Sequence, residues 1–324
     1  MIFLGHLGDI EVAASSLAIA LANITSYSVL SGLVLGMESL CAQAFGAQRP
    51  KLLSLTLHRS VIFLLCSSIL ISLLWLNMPK ILLHLLQDPK IINLAHTYLL
   101  FSLPDLLTNS FIHPIRIYLR AQSITHPLTL ASAVGAILHL PINLLLVLHL
   151  RLGVVGVAAA STASNFVVLL SLVSNVWGLG EDVQKWMALN RKCLTGWKPL
   201  LQLVAPSCIS VCLEWWWYEI TGFLVNPKSM MASMGVLIQT TALIYVFPSS
   251  LGYAVSTRVG NKLGANRPDK AKVSTAVSVF LSALIDPTAD IHCIADRRAV
   301  RAHKLSTNGG VWNVERECKA EHGG

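Results

Sequence analysis

Long stretches without charge are the feature that most constrains this chain. Five segments contain no Asp, Glu, Lys or Arg, namely Val12 to Met37, Ser60 to Pro79, Ala121 to Leu150, Leu152 to Gly180 and Ser229 to Thr257. Each matches or exceeds the ~20 residues that an α-helix needs to cross ~30 Å of hydrocarbon. Because backbone amides find no water there, helices are the expected form. The sequence therefore predicts an all-α, polytopic membrane protein.

Together with two further apolar runs that contain a few charged residues, at 91–118 and 199–224, these stretches predict seven full spans, at about residues 12–44, 53–76, 91–118, 126–149, 153–177, 199–224 and 230–257. A remnant of an earlier span at 1–5 and an apolar start at 270–285 accompany them. Lys and Arg concentrate in every second connector, at 46–59, 116–125, 178–198 and 258–272. Excess Lys and Arg mark the cytoplasmic side, so the net charge of +8 indicates orientation in a bilayer rather than nucleic-acid binding.

An internal repeat organises the chain. Phe45-Gly46-Ala47-Gln48-Arg49-Pro50 recurs 218 residues later as Leu263-Gly264-Ala265-Asn266-Arg267-Pro268, and at the same offset Tyr27 meets Tyr245. Six spans, an even number, separate the two copies, so the halves point the same way. This predicts a parallel duplication with its axis along the membrane normal.

The repeat predicts four segments. They are a six-helix N lobe at 1–177 with a truncated first helix, a cytoplasmic linker at 178–198, a partial C lobe at 199–285 and an aberrant, disordered tail at 286–324. The partial C lobe holds two full helices and the start of a third. The seven cysteines form no C-x-x-C pair, so neither a metal site nor a disulfide framework is expected.

Two glutamates lie in one predicted span, within the segment from Leu213 to Glu219 that reads L-E-W-W-W-Y-E. Counting from the inner end of the span at about 1.5 Å per residue places Glu214 past the bilayer midplane and Glu219 near the outer surface. A carboxyl group at the depth of Glu214 can hold either a proton or a cationic solute, and the adjacent tryptophans offer a cation–π surface. For Glu219, we favour an interfacial acid that reaches water. The two acids lie about 140° apart around the helix, so they do not form one paired site.

A third acid, Asp105, directly follows Pro104 in the middle of a span, and Asn109 lies one turn later. Two interpretations remain open. Asp105 caps a broken helical turn, which we favour slightly, or Asp105 and Asn109 form a polar transport site in the N lobe. For Glu38 we expect an interhelical or interfacial hydrogen bond.

Two further positions bear on packing. We expect His139 to lie beside a kink at Pro141 with its polar groups satisfied. Gly32 and Gly36 are spaced for close contact between helices.

Three features in combination resemble the multidrug and toxic compound extrusion (MATE) family. They are the E-W-W-x-x-E pattern from Glu214 to Glu219, the paired Gly-Ala-(Gln/Asn)-Arg-Pro connectors, and the run from Ala232 to Thr240. The segment from Tyr245 to Asn261 is most similar to the plant detoxification branch of that family. The resemblance covers about residues 1–285.

The resemblance implies a two-lobe bundle of twelve helices around a central cavity. It also implies proton-coupled antiport, exporting organic cations, xenobiotics or plant secondary metabolites by alternating access. Glu214 matches the family's seventh-helix glutamate and Glu219 its supporting acid. The expected proton- and substrate-binding set is completed by Trp215, Trp216, Tyr218, Gln239 and Tyr245.

The resemblance also sets the expected partners and location. We expect a small, cationic organic solute, protons and the lipid bilayer as partners, with a proton gradient as the energy source and no cofactor, metal or enzymatic activity. The expected location is a vacuolar, other endomembrane or plasma membrane. The alternative is an inactive transporter fragment, because the family's tenth-helix aspartate has no counterpart and nearly all of the first helix is missing.

Overall fold

A computed structural model describes residues 2–85, 89–178, 197–224 and 228–285. Nearly all of the predicted linker and the whole predicted tail at 286–324 lie outside the described residues. Within the described part, the chain forms helices joined by short turns, with no strand. The helices are α1 (Ile2–Gly5), α2 (Asp9–Ala22), π1 (Asn23–Tyr27), α3 (Ser28–Gly46), α4 (Pro50–Leu76), α5 (Met78–Leu85), α6 (Pro89–Phe101), α7 (Leu103–Ala121), α8 (His126–Asn143), π2 (Leu144–His149), α9 (Gly153–Gly178), α10 (Lys198–Leu224), α11 (Lys228–Gly264) and α12 (Pro268–Ile285).

Length and apolar composition qualify five of the described helical segments to cross a membrane. They are Asp9–Gly46, Pro50–Leu76, His126–His149, Gly153–Gly178 and Leu200–Trp217. The first is one continuous rod, because π1 joins α2 to α3 without a break. Hydroxyl groups inside these helices donate to backbone carbonyls of the preceding turn, as Thr56 does to Leu52 at 2.9 Å and Ser67 to Phe63 at 2.9 Å. Such bonds satisfy polar groups where water is absent.

The single span predicted at 91–118 is divided into two helices. α6 ends at Phe101 and α7 begins at Leu103, with Pro104 in the first turn of α7. Pro104 lacks an N–H group and the residue before a proline disfavours the helical region, so a helix ends here readily. The predicted break at Pro104 is therefore confirmed, and it places Asp105 at the beginning of a new helix.

The two repeat copies have the same backbone structure. α3 ends at Gly46 and α11 at Gly264, and the following helices begin at Pro50 and Pro268. The N–H of Ala47 bonds to the Gln43 carbonyl at 2.9 Å, and the equivalent bond, from Ala265 to Asn261, is 3.0 Å long. In both copies the residue two positions after the helix, Gln48 or Asn266, has φ of 56°. The duplication predicted from the sequence is thus present in the fold.

The C-terminal ends of α3 and α11 contact each other reciprocally. A Cβ atom on Gly46 would collide with the carbonyl oxygen of Asn261, and one on Gly264 would collide with the carbonyl oxygen of Gln43. Gln43 and Asn261 are themselves equivalent positions of the repeat, 218 residues apart. The contact therefore has approximate two-fold symmetry, as expected when two parallel repeats pack about an axis along the membrane normal.

A second close contact joins α3 to α10. A Cβ atom on Gly32 would lie 2.6 Å from Cα of Cys208, and one on Gly36 would lie 2.6 Å from Cα of Val204. Small residues allow backbones to approach in membranes, where packing rather than the hydrophobic effect drives helix association. The predicted packing role of Gly32 and Gly36 is confirmed, and it brings the glutamate-bearing helix α10 against the rod that contains π1.

Candidate functional site

The π-helical turn π1 is the centre of the polar contacts in the described structure. Its Asn23 donates to Glu219 on α10, its Thr25 accepts from Nε1 of Trp75 on α4 at 2.8 Å, and its Tyr27 donates to Asp105 on α7. Three polar side chains of a single turn thus reach three different helices. Turns of this type occur often at functional sites, and the sequence pattern gives no sign of this one.

The carboxyl group of Glu219 is buried between α10 and π1. Its side chain is 5% exposed, and Nδ2 of Asn23 donates to its Oε1 at 2.6 Å. The interpretation of Glu219 as an interfacial acid that reaches water is wrong for this structure. The prediction used only the depth of Glu219 along its helix, which does not show whether a neighbouring helix covers that face. In the structure, Glu219 lies on the face of α10 that packs against π1.

Glu214 lies on a different face of α10. It is exposed, and the hydroxyl group of Tyr245 on α11 donates to its Oε1 at 3.0 Å. The structure therefore brings together two residues of the predicted binding set, Glu214 and Tyr245, and keeps Glu219 apart from them, as the ~140° separation of the two acids predicts. A carboxylate that accepts this bond on one oxygen retains capacity to accept a proton or a cation.

Asp105 is the centre of a buried hydrogen-bond cluster. Its carboxylate accepts from the Tyr27 hydroxyl at 2.5 Å, from Nδ2 of Asn109 at 2.9 Å and from Nδ2 of Asn165 on α9 at 2.7 Å. Asp105 is 3% exposed and Asn109 8% exposed. The predicted capping role of Asp105 is wrong, because no side chain caps α7 and the Asp105 oxygens are taken by these donors. Sequence reasoning paired Asp105 with Asn109 but missed Tyr27 and Asn165.

The tyrosines of the two tyrosine–acid pairs occupy equivalent positions of the repeat. Tyr27 and Tyr245 are equivalent positions, and each donates its hydroxyl group to a carboxylate in its own half of the chain, Asp105 and Glu214 respectively. Among the residues that the structure describes, the hydrogen bonds to Glu214, Glu219 and Asp105 come from neutral hydroxyl or amide donors.

Of the four other predicted site residues, the structure describes the side chains of two. Trp216 is half-buried and donates Nε1 to the Ile24 carbonyl of π1 at 2.8 Å, and Trp215 is half-buried. The side chains of Tyr218 and Gln239 lie outside the described residues, although their backbones are helical. Roles for these four residues in binding remain predictions.

Comparison with known proteins decides the family. The family model described as MatE matches residues 1–145 and 206–287, which is more than half of the chain. The chain belongs to the MatE family.

Named relatives agree with this membership. The chain is 63% identical over 288 residues to Protein DETOXIFICATION 51 of Arabidopsis thaliana, an alignment covering 88% of this chain and 54% of the relative. It is 33% identical to multidrug and toxin extrusion protein 1 of Danio rerio, covering 88% of this chain and 48% of the relative. The crystal structure of the eukaryotic MATE transporter AtDTX14 matches with a TM-score of 0.81 at 28% identity, over 87% of this chain and 64% of that one.

These comparisons confirm the resemblance and the helical bundle, and they identify an integral, multi-pass membrane protein. The chain spans about half the length of the curated relatives it matches.

A separate charged cluster joins the two halves of this MatE protein through α3, α7 and α11. Glu38 on α3 is 2% exposed, with its Oε1 3.6 Å from Nη1 of Arg120 on α7 and 3.5 Å from Oγ1 of Thr257 on α11. The Arg120 guanidinium also lies 4.2 Å from the ring centre of Tyr253 on α11. The expected interhelical hydrogen bond of Glu38 is confirmed.

Replacing Arg120 with leucine is expected to destabilise the protein by about 3 kcal/mol. Removing one partner of a buried ion pair leaves the other charge uncompensated, and that costs about 3–5 kcal/mol; the partial exposure of Arg120 places it at the lower end. Thermal unfolding of detergent-solubilised protein measures the effect. Adding Glu38→Gln to Arg120→Leu should recover part of the loss, because position 38 then no longer carries a buried, unpaired charge.

The matched control for Arg120→Leu is Lys272→Leu. Lys272 lies 3.7 Å from Asp269, but the two side chains are 76% and 93% exposed, so we expect no measurable change in unfolding. Equal effects of the two substitutions would contradict the assignment of Glu38 and Arg120 as a buried pair.

His139 behaves as a structural histidine. Its Nδ1 lies 2.9 Å from Oγ of Ser164, and Nδ2 of Asn143 lies 3.2 Å from its Nε2. The expectation that its polar groups are satisfied is confirmed. Pro141 lies between His139 and Asn143, and π2 begins directly after Asn143. This cluster is therefore part of a local distortion of the helix.

Proposed function

We propose that this chain is a secondary transporter that exports small organic solutes, foremost cations, in exchange for protons by alternating access. The observation that carries the proposal is the state of its carboxylates. Glu214, Glu219 and Asp105 lie on helices of the bundle and are hydrogen-bonded by hydroxyl and amide groups. Ionisable groups on the helices of a membrane protein are energetically costly, so they are by default candidates for a functional role. Neutral donors leave these acids able to take a proton or a cation.

The names of the relatives point in the same direction. One is named for detoxification and another for multidrug and toxin extrusion. On this basis the substrate class is xenobiotics or plant secondary metabolites, and the half-buried Trp215 and Trp216, on the same helix as Glu214, would stabilise a cationic group through their ring faces. The proposal requires no cofactor and no enzymatic activity, and the membrane is vacuolar, another endomembrane or the plasma membrane.

A second candidate is a fragment of a transporter that does not itself transport. It is favoured by one observation, that the chain spans 54% of the length of Protein DETOXIFICATION 51. The two candidates make opposite predictions in one experiment, because only the first moves solute.

The experiment is efflux of a fluorescent organic cation from vesicles that contain this chain, with and without an imposed pH gradient. A transporter coupled to protons should give efflux that the gradient accelerates and that a protonophore abolishes. Vesicles without protein supply the baseline, and a sodium gradient imposed at uniform pH tests the other possible coupling ion. Efflux driven only by sodium would overturn the proton coupling. Efflux at the baseline under every condition would overturn transport by this chain and support the fragment.

A further inference from the structure

The turn π1 connects two carboxyl groups that belong to different halves of the chain. From one end of the turn, Nδ2 of Asn23 donates to Glu219 on α10 at 2.6 Å. From the other end, the hydroxyl group of Tyr27 donates to Asp105 on α7 at 2.5 Å. We propose that π1 couples the protonation of Glu219 to that of Asp105, with Asn23 and Tyr27 as the positioning residues. The proposal rests on the proposed function only in taking both acids as groups of the transport cycle.

The backbone register of π1 is what allows both bonds. The N–H of Ser28 bonds to the carbonyl of Asn23, five residues earlier, where an α-helix would use the carbonyl of Ile24. Changing the hydrogen-bond register of this turn by one residue, from π to α, rotates the side chains at its beginning relative to those at its end by about 100°. Asn23 is the first residue of the turn and Tyr27 the last. The two side chains therefore keep Glu219 and Asp105 as partners only while the turn stays π-helical.

The π register is itself held by the helix that carries Glu219. The Ile24 carbonyl accepts from Nε1 of Trp216 on α10 at 2.8 Å and from Oγ of Ser28 at 3.0 Å. Trp216 and Glu219 are three residues apart, so a movement of this part of α10 reaches π1 through two contacts. On the N-lobe side, the contact from π1 to Asp105 is the Tyr27 hydroxyl.

Protonation of one acid should change the other through these contacts. A hydrogen bond to an ionised carboxylate is about twice as strong as a neutral one, so a proton on Glu219 weakens its bond to Asn23. With that bond weakened, π1 relaxes more easily and Tyr27 leaves Asp105, which favours a proton there. By linkage the effect is reciprocal. Besides Tyr27, the groups facing Asp105 are Asn109 on α7, Asn165 on α9 and the ionisable Tyr98 on α6.

The test measures how readily Asp105 reacts with dicyclohexylcarbodiimide, which modifies protonated carboxyl groups in apolar surroundings. The purified chain is labelled over a pH series without gradient or solute, and mass spectrometry quantifies the label on the Asp105 peptide. In Glu219→Gln, a mimic of the protonated acid, we expect labelling at neutral pH to rise about fivefold or more, the lower end of typical coupling between sites. Asn23→Ala tests the same connection without touching either acid.

The additional variants separate coupling from a structural role. Tyr27→Phe should show the raised labelling by itself, and adding Glu219→Gln to it should cause no further rise. Glu214→Gln is the matched control, because it makes the same chemical change on the same helix but faces Tyr245, and its pH profile at Asp105 should equal that of the unaltered chain.

Equal profiles for Glu219→Gln and the unaltered chain, or equal shifts for Glu214→Gln and Glu219→Gln, would overturn the proposal. Because no transport is measured, the labelling result stands apart from the proposed function. A shifted profile without efflux would refute transport alone, and efflux with an unshifted profile would refute the coupling alone.

Discussion

Glu214→Gln is expected to abolish efflux driven by a pH gradient while leaving membrane insertion of the chain unchanged. Glutamine keeps the length of the side chain, and its amide oxygen still accepts the bond from Tyr245 that Glu214 receives at 3.0 Å. It cannot bind or release a proton. We expect the gradient-dependent rate to fall about 100-fold or more, the scale at which loss of a positioned acid–base group slows proton transfer. Vesicle efflux of a fluorescent organic cation measures the rate.

The control for Glu214→Gln is Asp269→Asn. The same conversion of acid to amide is made at a side chain that is 93% exposed at the start of α12, so we expect an unchanged efflux rate. Tyr245→Phe is expected to keep transport, because the Glu214 carboxylate remains and only its hydroxyl donor is lost. Undiminished pH-dependent efflux from Glu214→Gln would refute the role of this acid.

The helices and the duplication could be predicted because their signals are local. Absence of charge over about 20 residues reports a membrane span directly, and the Gly-Ala-(Gln/Asn)-Arg-Pro connector fixes a helix end in each half. The structure reproduces both, down to φ of 56° at the equivalent Gln48 and Asn266. Gly32 and Gly36 were also predictable, since only small residues allow the approach to α10.

Surroundings of the acids could not be predicted in the same way, because they depend on which helices pass each side chain. Counting residues along α10 gives the depth of Glu219 but not its face, and the structure buries it against Asn23. Asp105 followed a proline, which suggested a cap, yet its donors come from π1, α7 and α9. A sequence signal for the donors of Glu219 and Asp105 is the presence of the amides of Asn23 and Asn165 within segments that lack charged residues.

The contact between the two repeat copies gives a stability prediction with opposite signs on one helix. Gly264→Ala is expected to destabilise the protein by about 1–3 kcal/mol, because the added methyl group meets the backbone carbonyl of Gln43, and backbone cannot rotate away as a side chain would. Gly252→Ala is the matched control. A Cβ atom at Gly252 meets nothing within 4 Å, so alanine there should stabilise α11 by about 0.5–1 kcal/mol through its higher helix propensity.

The reciprocity of this contact makes the prediction sharper. Gly46 meets Asn261 as Gly264 meets Gln43, so separating α3 from α11 once would relieve both collisions. The double variant Gly46→Ala and Gly264→Ala should therefore lose clearly less stability than the sum of the two single losses, as residues that share one contact do not act additively. Thermal unfolding in detergent measures all four variants. A stabilising Gly264→Ala, or losses that add fully, would mean that the C-terminal ends of α3 and α11 do not pack about a shared two-fold axis.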